Sequence, residues 1–468
     1  MKIEIERFGP IQQFTYDLDK DFIVTYGNNN IGKSYSMQIV YLLLKKFMKK
    51  DLFQYKFNSF VLLLLNGLLS EEDKKLKEEW ENKINVFIES QDKEMDFTIT
   101  IEEIFSVSVF NIFHESLCDF IDSCRNTFGN FENLLKKNPV IHLKWESFSI
   151  DILLKEEKII GKLKENLICL KKVPSNLEYS QKENTSVIFI VQDFESPIPS
   201  VFEQIRICIE KWMNTIYSSC SIVYFLPASR SGIYNGMSAF GQIVAELSKN
   251  RSKLSKKIEL PGLSEPISDY FIFLSNINGI PNEELKTYYT EIEDKILKGK
   301  ISFNQNQNVI LYHPQNMDSP FTMTEVSSMV SEVIPITAFL KYILNFSEIE
   351  EVKGKHILFI EEPEAHLHPK NQLMLMEIFS KLICADVKLV MSSHSNYIFN
   401  KLNNLVLSGK LDYHCYQPIV LKEKEGGSIS KALEIDELGA NDENFADVSE
   451  QLYDEREEII QQLNLGES

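Results

Sequence analysis

Two short stretches of the sequence carry residue types whose spacing could bind and cleave a nucleoside triphosphate. The first, "GNNNIGKS" at residues 27–34, matches the phosphate-binding pattern G-x-x-x-x-G-K-[S/T] in full. The second, "ILFIEE" at residues 357–362, places two carboxylates directly after an apolar run. Backbone N–H groups and a lysine hold phosphates, whereas carboxylates hold Mg²⁺ and polarise water. We therefore expect ATP and Mg²⁺ as cofactors and ATP hydrolysis as the chemistry.

Each position of the first stretch has an expected task in nucleotide binding. Gly27 and Gly32 let the backbone turn so that successive N–H groups face the phosphates, and a helix beginning near Lys33 adds the positive end of its dipole. Lys33 would reach the β- and γ-phosphates, and the Ser34 hydroxyl would ligate Mg²⁺. The other residues predicted to bind nucleotide in this loop are Asn28, Asn29, Asn30 and Ile31.

The acidic pair and a later histidine are predicted to do the hydrolytic work. Ligands of parallel sheets sit at the carboxyl ends of the strands, and Glu361 and Glu362 follow a buried-strand pattern. We expect Glu361 to hold Mg²⁺, directly or through water, and Glu362 to polarise the attacking water. A downstream strand, "KLVMSS", ends at His394. That position favours a histidine that senses or stabilises the γ-phosphate over an ordinary core or surface histidine.

The surrounding stretch "FIEEPEAHLHPK" also invites a different interpretation, as a protein-built metal site. A zinc protease requires HExxH, whereas His366 and His368 are two residues apart. On a helix that spacing would point them about 200° apart, and a loop that ends at proline fits better. We expect Glu364, His366 and His368 to shape a loop, and the only metal to be the Mg²⁺ that arrives with ATP.

The elements that must position these residues are strands followed by helices. The first 25 residues predict two strands and the start of a third, "DFIVTY", which leads into the loop at 27–34. Residues 50–140 look mostly helical, a strand-like block follows at 140–172, and "GKISFNQNQNVILYHP" predicts a hairpin. From about residue 325 onward, helix and strand alternate, which predicts a parallel α/β sheet.

Composition sets the broad class of the protein. The net charge is −19, and the segment from Asp436 to Ser468 alone carries eleven acidic residues and one arginine. No stretch approaches the ~18 to 20 apolar residues of a membrane span, so we expect no membrane partner. The seven cysteines form no CxxC pair, which fits a reducing cytoplasm. A local basic cluster, "KNRSKLSKK" at 249–257, leaves DNA binding open, with an ordinary solvated segment as the alternative.

Four stretches together resemble the ABC-class ATPases of the SMC, RecF and OLD branch. They are "FGPIQQFTYDL…GNNNIGKS", "EVSSMVSE", "LFIEEPEAHLHP" and "MSSHSNYIFNKL". The set is most similar to prokaryotic "AAA family" ATPases of anti-phage defence, of the AriA type in PARIS systems or the PtuA type in Septu systems. The resemblance implies an α/β fold, an ABC-type P-loop ATPase head with a mixed sheet and antiparallel N-terminal strands, split by a helix-rich α+β insertion.

The resemblance also implies a division of the chain. Residues 1–50 and 321–435 would be the two parts of the ATPase domain, 51–320 an insertion or lid region, and 436–468 an acidic helical tail. A Toprim nuclease is not expected, because only about 65 residues follow the helix after His394 and they contain no D-x-D pair. Long coiled-coil arms are not expected either, since the insertion lacks sustained heptads.

In this family, two heads sandwich two ATP molecules and each signature motif completes the other subunit's site. "EVSSMVSE" is similar to that signature, so Ser327, Ser328 and Glu332 are expected to serve the partner's nucleotide, the serines through hydroxyls and helix N–H groups. Met329 stands where relatives usually have glycine, a departure that would slow turnover. An ordinary serine cap is the alternative interpretation. The loop with Glu364, His366 and His368 would face the partner subunit.

Two further residues are candidate site residues. Arg230, in "ASRSG" after a strand, could contact a phosphate or couple to the partner, or be a plain surface arginine. Gln192 ends the strand "VIFIVQ" and could be the Mg²⁺-linked glutamine of such ATPases.

Three functions follow from these observations. The leading hypothesis is a cytoplasmic, Mg²⁺-dependent ATPase, a head-to-tail dimer or larger ring, that senses infection and controls a separate effector protein. The acidic tail could dock a basic effector, or be a solvated terminal helix. The alternative is a DNA-binding maintenance ATPase of the RecF or SMC-like type, and a third is a module that holds ATP without turnover.

Overall fold

The chain folds around one large mixed sheet in the computed structural model, which describes residues 1–48, 71–164, 168–172, 187–191, 197–219, 222–236, 263–344, 355–441 and 453–460. The strands up to the middle of the chain are β1 (Lys2–Phe8), β2 (Ile11–Asp17), β3 (Phe22–Gly27), β4 (Glu94–Asp96), β5 (Val140–Lys144), β6 (Phe148–Leu153), β7 (Lys158–Leu163), β8 (Ile168–Lys172), β9 (Val187–Val191) and β10 (Ile222–Leu226). The later strands are β11 (Gly299–Asn304), β12 (Val309–Pro314), β13 (Phe321–Thr322), β14 (His356–Glu361), β15 (Val387–Ser393), β16 (Tyr416–Lys424), β17 (Gly427–Ala432), β18 (Ile435–Asp436) and β19 (Gly439–Ala440).

Eleven strands form the main sheet in the order β10-β14-β15-β3-β16-β17-β2-β1-β5-β6-β7. The five strands from β10 to β16 are parallel to one another. The N-terminal strands β1 and β2 pair antiparallel, and β5, β6 and β7 continue that antiparallel part. The predicted α/β fold with a mixed sheet and antiparallel N-terminal strands is therefore confirmed, as is the hairpin of β11 and β12.

Helices cover both faces of this sheet. They are α1 (Lys33–Phe47), α2 (Glu71–Glu89), α3 (Thr98–Thr127), α4 (Phe131–Leu135), α5 (Pro197–Ser218), α6 (Glu265–Ser275), α7 (Lys286–Ile292), α8 (Ser328–Ala338), α9 (Pro369–Leu382) and α10 (Asn396–Leu407). Two π-helical turns, Glu293–Leu297 and Phe339–Ile343, directly continue α7 and α8. Residues 453–460 of the acidic tail are helical, and their side chains are exposed.

Alternating side chains of the central strands enter two separate cores. Along β14, Ile357 and Phe359 pack in the core under α1 and α3, whereas Leu358 and Ile360 pack in the core under α8, α9 and α10. Every residue of β3 and of β14 is buried. Strands covered on both faces need apolar residues at every position, which is why both read as continuous apolar runs.

Helix α3 is long and apolar enough to cross a membrane, judged by length and composition alone. This differs from the expectation that no stretch of the chain is long and apolar enough for a membrane span. The helix packs on β7 and α1, and residues such as Ile101, Phe105 and Val109 recur at intervals of four and lie in the first core. This burial accounts for its apolar composition.

The predicted insertion takes part in the main sheet. Within 51–320, β5 pairs with β1 and β10 pairs with β14. The sheet therefore includes strands from both sides of the predicted boundaries at 50 and 320. The division into ATPase domain and insertion describes segments of the sequence and stays a prediction. Gln192, the apolar run at 60–69 and the basic cluster at 249–257 lie outside the described residues.

Candidate nucleotide-binding and catalytic site

Four neighbouring parallel strands, β10, β14, β15 and β3, end at one edge of the main sheet. Across this edge Glu361 pairs with Ser392, which in turn pairs with Thr25. The loop at 27–34 follows β3, His394 follows β15, and Glu362 follows β14. The residues predicted to bind phosphate, to hold Mg²⁺ and to activate water are thus brought together by strand order.

The two glycines of the loop at 27–34 occupy positions that a side chain would not fit. Gly27 has φ +145°, and a Cβ there would lie 2.6 Å from both Ile31 Cδ1 and the Leu421 carbonyl oxygen. Gly32 has φ +104° and would place a Cβ 3.0 Å from Pro10 Cγ. Gly32 is also the N-cap of α1, so the loop delivers the start of that helix to the site. Glycine is required here both for conformation and for space.

Lys33 is buried and bonded to its own loop. Its Nζ donates to the carbonyl oxygens of Gly27 at 2.8 Å and Asn28 at 2.6 Å, and lies 3.5 Å from His394 Nδ1. Burial lowers the pKa of Lys33 from its ordinary 10.5 to about 8, although Glu362 and Glu364 partly oppose the shift. A phosphate would offer this ammonium stronger acceptors than the two carbonyls.

Glu361 ends β14 with one carboxylate oxygen satisfied and one without a partner. Oε2 accepts a hydrogen bond from the Ala228 N–H at 3.2 Å. Oε1 is buried without a hydrogen-bond partner within the described structure. Burial raises the pKa of Glu361, while the Ser34 side chain and the Ala228 N–H oppose the shift. An orphaned carboxylate oxygen close to the Ser34 hydroxyl is a fitting donor set for Mg²⁺, which prefers oxygen ligands.

Glu362 extends from the strand end in a strained backbone conformation. Its φ is +45°, a region that residues other than glycine rarely adopt. The side chain is half-exposed, with Oε1 3.6 Å from His394 Nε2. The His394 imidazole lowers the pKa of Glu362, so the carboxylate is charged at neutral pH. A charged, accessible carboxylate beside Lys33 and His394 can accept a proton from water.

Glu364 has a specific task that its position in the sequence does not predict. Its Oε1 accepts hydrogen bonds from the Ser393 hydroxyl at 2.8 Å and the His394 N–H at 2.6 Å. Burial raises the pKa of Glu364. His366 and His368, by contrast, are exposed on the loop before α9. Glu364 therefore positions His394 within its own chain, and its only sequence signal is that it is a third carboxylate near Glu361.

The structure differs from the expectations for Arg230 and Glu332. Arg230 is fully buried, so it is not a surface arginine, and its guanidinium donates to protein atoms, among them the carbonyl oxygens of Glu361 at 2.7 Å and Glu362 at 3.3 Å. Glu332 is also buried and accepts from the N–H groups of Arg230 and Ser231. Neither side chain is accessible to a phosphate or a partner, because both are buried and form hydrogen bonds with each other's segment of the chain.

The remaining signature residues lie at the exposed start of α8. Ser327 is the N-cap, its side chain makes no capping hydrogen bond, and both Ser327 and Ser328 are exposed. Met329 is half-buried and packs against the second core. The helix therefore begins with accessible hydroxyls, and the methionine side chain is turned partly toward the protein.

A glycine-lined phosphate loop follows a central parallel strand, and a carboxylate-ended strand lies two positions away in the same sheet, as in an ABC-class P-loop ATPase. The chain belongs to the family described as "AAA ATPase domain", which matches residues 1–399. No curated protein is similar enough to the chain to match it.

Several solved structures are similar to the chain at low identity. An SMC head bound to the C-winged helix domain of ScpA is 10% identical with a TM-score of 0.33, covering 93% of this chain and 97% of that one. The SMC head domain from Thermotoga maritima is 7% identical with a TM-score of 0.35, covering 93% and 98%. The Smc head domain with an extended coiled coil bound to the C-terminal domain of ScpA, derived from Pyrococcus furiosus, is 10% identical with a TM-score of 0.33, covering 97% and 98%.

Proposed function

We propose that the chain is a Mg²⁺-dependent ATPase that closes head to tail on a second copy of itself around ATP. The observation that carries the proposal is that the residues expected to act on ATP lie at two separate places in the chain. Lys33, Glu361, Glu362 and His394 share one sheet edge, whereas the accessible serines stand at the start of α8. An exposed helix N-terminus favours an anion. In a dimer, that anion is the γ-phosphate held by the partner.

The proposed roles follow from the contacts. Lys33 exchanges the Gly27 and Asn28 carbonyl oxygens for phosphate oxygens, and Ser34 and Glu361 hold Mg²⁺. The metal supplies charge neutralisation at the phosphates. Glu362 orients and deprotonates the attacking water, and His394 lies between that carboxylate and Lys33 to meet the γ-phosphate. Glu364 holds His394 in place.

The test is the substitution Glu362→Gln. It removes the base but keeps the shape of the side chain, so Mg²⁺-ATP should still bind while hydrolysis falls by about a thousandfold. Sedimentation with ATP should show a stable dimer of this variant, since reopening requires hydrolysis. Glu156→Gln, at an exposed turn between β6 and β7, is the matched control and should behave as wild type. Unchanged hydrolysis by Glu362→Gln would refute the catalytic assignment.

The biological role that we propose is control of a separate effector protein in anti-phage defence, in the cytoplasm. The resemblance of the four motif stretches supports it, and the exposed, acidic helix at 453–460 offers a surface for a basic effector. Cells that carry the gene with its neighbours should resist phage, and the Glu362→Gln variant should lose or lock that response. Resistance that is independent of this chain would contradict the role.

A further inference from the structure

The Arg230 side chain joins three segments that meet behind the catalytic edge. Its Nη1 donates to the Glu361 carbonyl at 2.7 Å and to the Pro227 carbonyl at 3.3 Å, and its Nη2 donates to the Glu362 carbonyl at 3.3 Å. Its Nε donates to the Glu332 carbonyl at 3.2 Å and lies 3.3 Å from Glu332 Oε2. The guanidinium thus contacts the ends of β10 and β14 and the first turns of α8 at once.

Glu332 completes this connection from the side of α8. Its Oε2 accepts from the Arg230 N–H at 3.1 Å, and its Oε1 accepts from the Ser231 N–H at 3.2 Å and the Ser231 hydroxyl at 2.6 Å. The carboxylate is one helical turn after Ser328. A buried ion pair with its remaining donors and acceptors satisfied resists distortion, because breaking one contact leaves a buried charge uncompensated.

We propose that Arg230 and Glu332 are positioning residues that couple the exposed start of α8 to the geometry of Glu362 in the same chain. Glu362 holds φ +45°, and Ser229, next to Arg230, holds φ +54°. Such conformations persist only where surrounding contacts fix them. Arg230 donates hydrogen bonds both to Glu332 on α8 and to the Glu362 carbonyl. A shift of α8 therefore moves the backbone that orients the Glu362 carboxylate toward water.

The inference rests on the proposed function. It adds a chain of contacts that runs from the start of α8, where the partner's nucleotide would bind, to Glu362 at the catalytic edge. When a partner's nucleotide docks on Ser327 and Ser328, the displacement reaches Glu332, then Arg230, then the backbone of Glu361 and Glu362. Each chain would in this way sense the nucleotide of its partner and adjust its own hydrolysis. Arginine suits the task because its planar fork bonds several carbonyls at fixed angles, which a lysine ammonium does not.

The experiment compares Arg230→Lys and Glu332→Gln with wild type at saturating Mg²⁺-ATP. Arg230→Lys removes the planar guanidinium, and Glu332→Gln removes the negative charge that orients it. Each should lower kcat by about tenfold to a hundredfold, since a small displacement of a catalytic group such as Glu362 has effects of that size. KM and the affinity for a non-hydrolysable ATP analogue should stay within about twofold, because neither residue touches the phosphate loop. In a Glu362→Gln background, Arg230→Lys should cause no further loss, since it acts through that carboxylate.

A second buried ion pair on the same helical segment provides the control. Lys341, in the π-helical turn after α8, donates to Glu293 Oε1 at 2.7 Å and to the Ile301 carbonyl. Glu293→Gln disturbs a buried charge of the same kind without contact to the catalytic edge, so kcat should not change. If it lowers kcat as much as Glu332→Gln does, the effect is general destabilisation and the inference is overturned.

The remaining outcomes separate the two proposals. If Glu362→Gln abolishes hydrolysis while Arg230→Lys and Glu332→Gln keep the wild-type kcat, the catalytic assignment stands and the coupling is wrong. If Glu362→Gln itself leaves hydrolysis intact, the proposed function fails first. Should the two buried variants not fold, Ser231→Ala removes only the 2.6 Å hydrogen bond to Glu332. It should lower kcat by about twofold to fivefold, less than the other two variants, because the N–H groups of Ser231 and Arg230 still hold the Glu332 carboxylate. An unchanged kcat would overturn the inference.

Discussion

Glu364 holds His394 through its main chain: the Glu364 Oε1 accepts a hydrogen bond from the His394 N–H at 2.6 Å and another from the Ser393 hydroxyl at 2.8 Å. The turn from β15 into α10 is thereby tied to the loop that follows β14. Glu364 thus decides where the imidazole stands between Lys33 and Glu362.

Glu364→Ala should therefore damage both stability and turnover. Hydrogen bonds to a charged group contribute about 1.5–3 kcal/mol, so the free energy of unfolding should fall by that amount. The kcat should drop by about tenfold because His394 loses its anchor. Denaturant unfolding and ATP hydrolysis measure the two effects. Glu364→Gln keeps the acceptor and should stay within about 1 kcal/mol of wild type; equal losses in both variants would contradict this account.

Lys33 should take up a proton when ATP binds in alkaline solution. Its pKa is about 8 in the free protein because burial disfavours the ammonium. Phosphates would stabilise the charged Lys33 ammonium. Below that pKa Lys33 is already charged, so ATP binding needs no added proton. Above it, the affinity for ATP should fall by about tenfold per pH unit. Calorimetry of ATP binding to Glu362→Gln in two buffers of different ionisation enthalpy, at about pH 7 and about pH 9, measures the uptake.

The expected uptake by Lys33 is close to zero at the lower pH and close to one proton per ATP at the higher pH. ATP itself is fully deprotonated under alkaline conditions, so the proton belongs to the protein. Equal uptake at both values would show that Lys33 keeps its charge in the free protein.

Removal of Mg²⁺, or of its proposed ligand Glu361, should have the same effect on nucleotide binding. In wild type, chelation of Mg²⁺ should abolish hydrolysis and weaken ATP binding. In Glu361→Gln, hydrolysis should fall by about a hundredfold or more, and ATP affinity should no longer depend on Mg²⁺. Burial raises the pKa of Glu361, so a neutral amide should not lower the melting temperature of the free protein. A variant that still responds to Mg²⁺ would exclude Glu361 as the ligand.

Two inactive variants should restore activity when mixed if the site is shared between subunits. Ser328→Leu removes an exposed hydroxyl from the start of α8 and adds a bulky side chain there. Lys33→Ala removes the ammonium of the phosphate loop. Each should be inactive alone, whereas the mixed dimer contains one complete site. Random pairing at equal amounts should return about a quarter of the wild-type rate if the two sites of the twofold-symmetric dimer act independently, and less than a quarter if α8 couples them as proposed. Full activity of Ser328→Leu alone, or no recovery in the mixture, would show that α8 does not complete the partner's site.

The sequence by itself determined the parts of the site that depend on local backbone conformation and strand pattern. Gly27 and Gly32 stand where only glycine fits, and uninterrupted apolar runs in β3 and β14 predicted buried parallel strands. Because parallel strands present their carboxyl ends at one edge, the proximity of Lys33, Glu361 and His394 followed from the pattern alone.

Only the tertiary structure decided how these groups are held. Arg230 and Glu332 are separated by 102 positions, and each looked like an accessible charge because nothing in its neighbours along the chain shows burial. The same holds for Glu364, whose acceptor role depends on β15 lying beside β14. Pairings between distant charges are set by how the strands and helices pack, and the cost of burying an unpaired charge is what makes them specific.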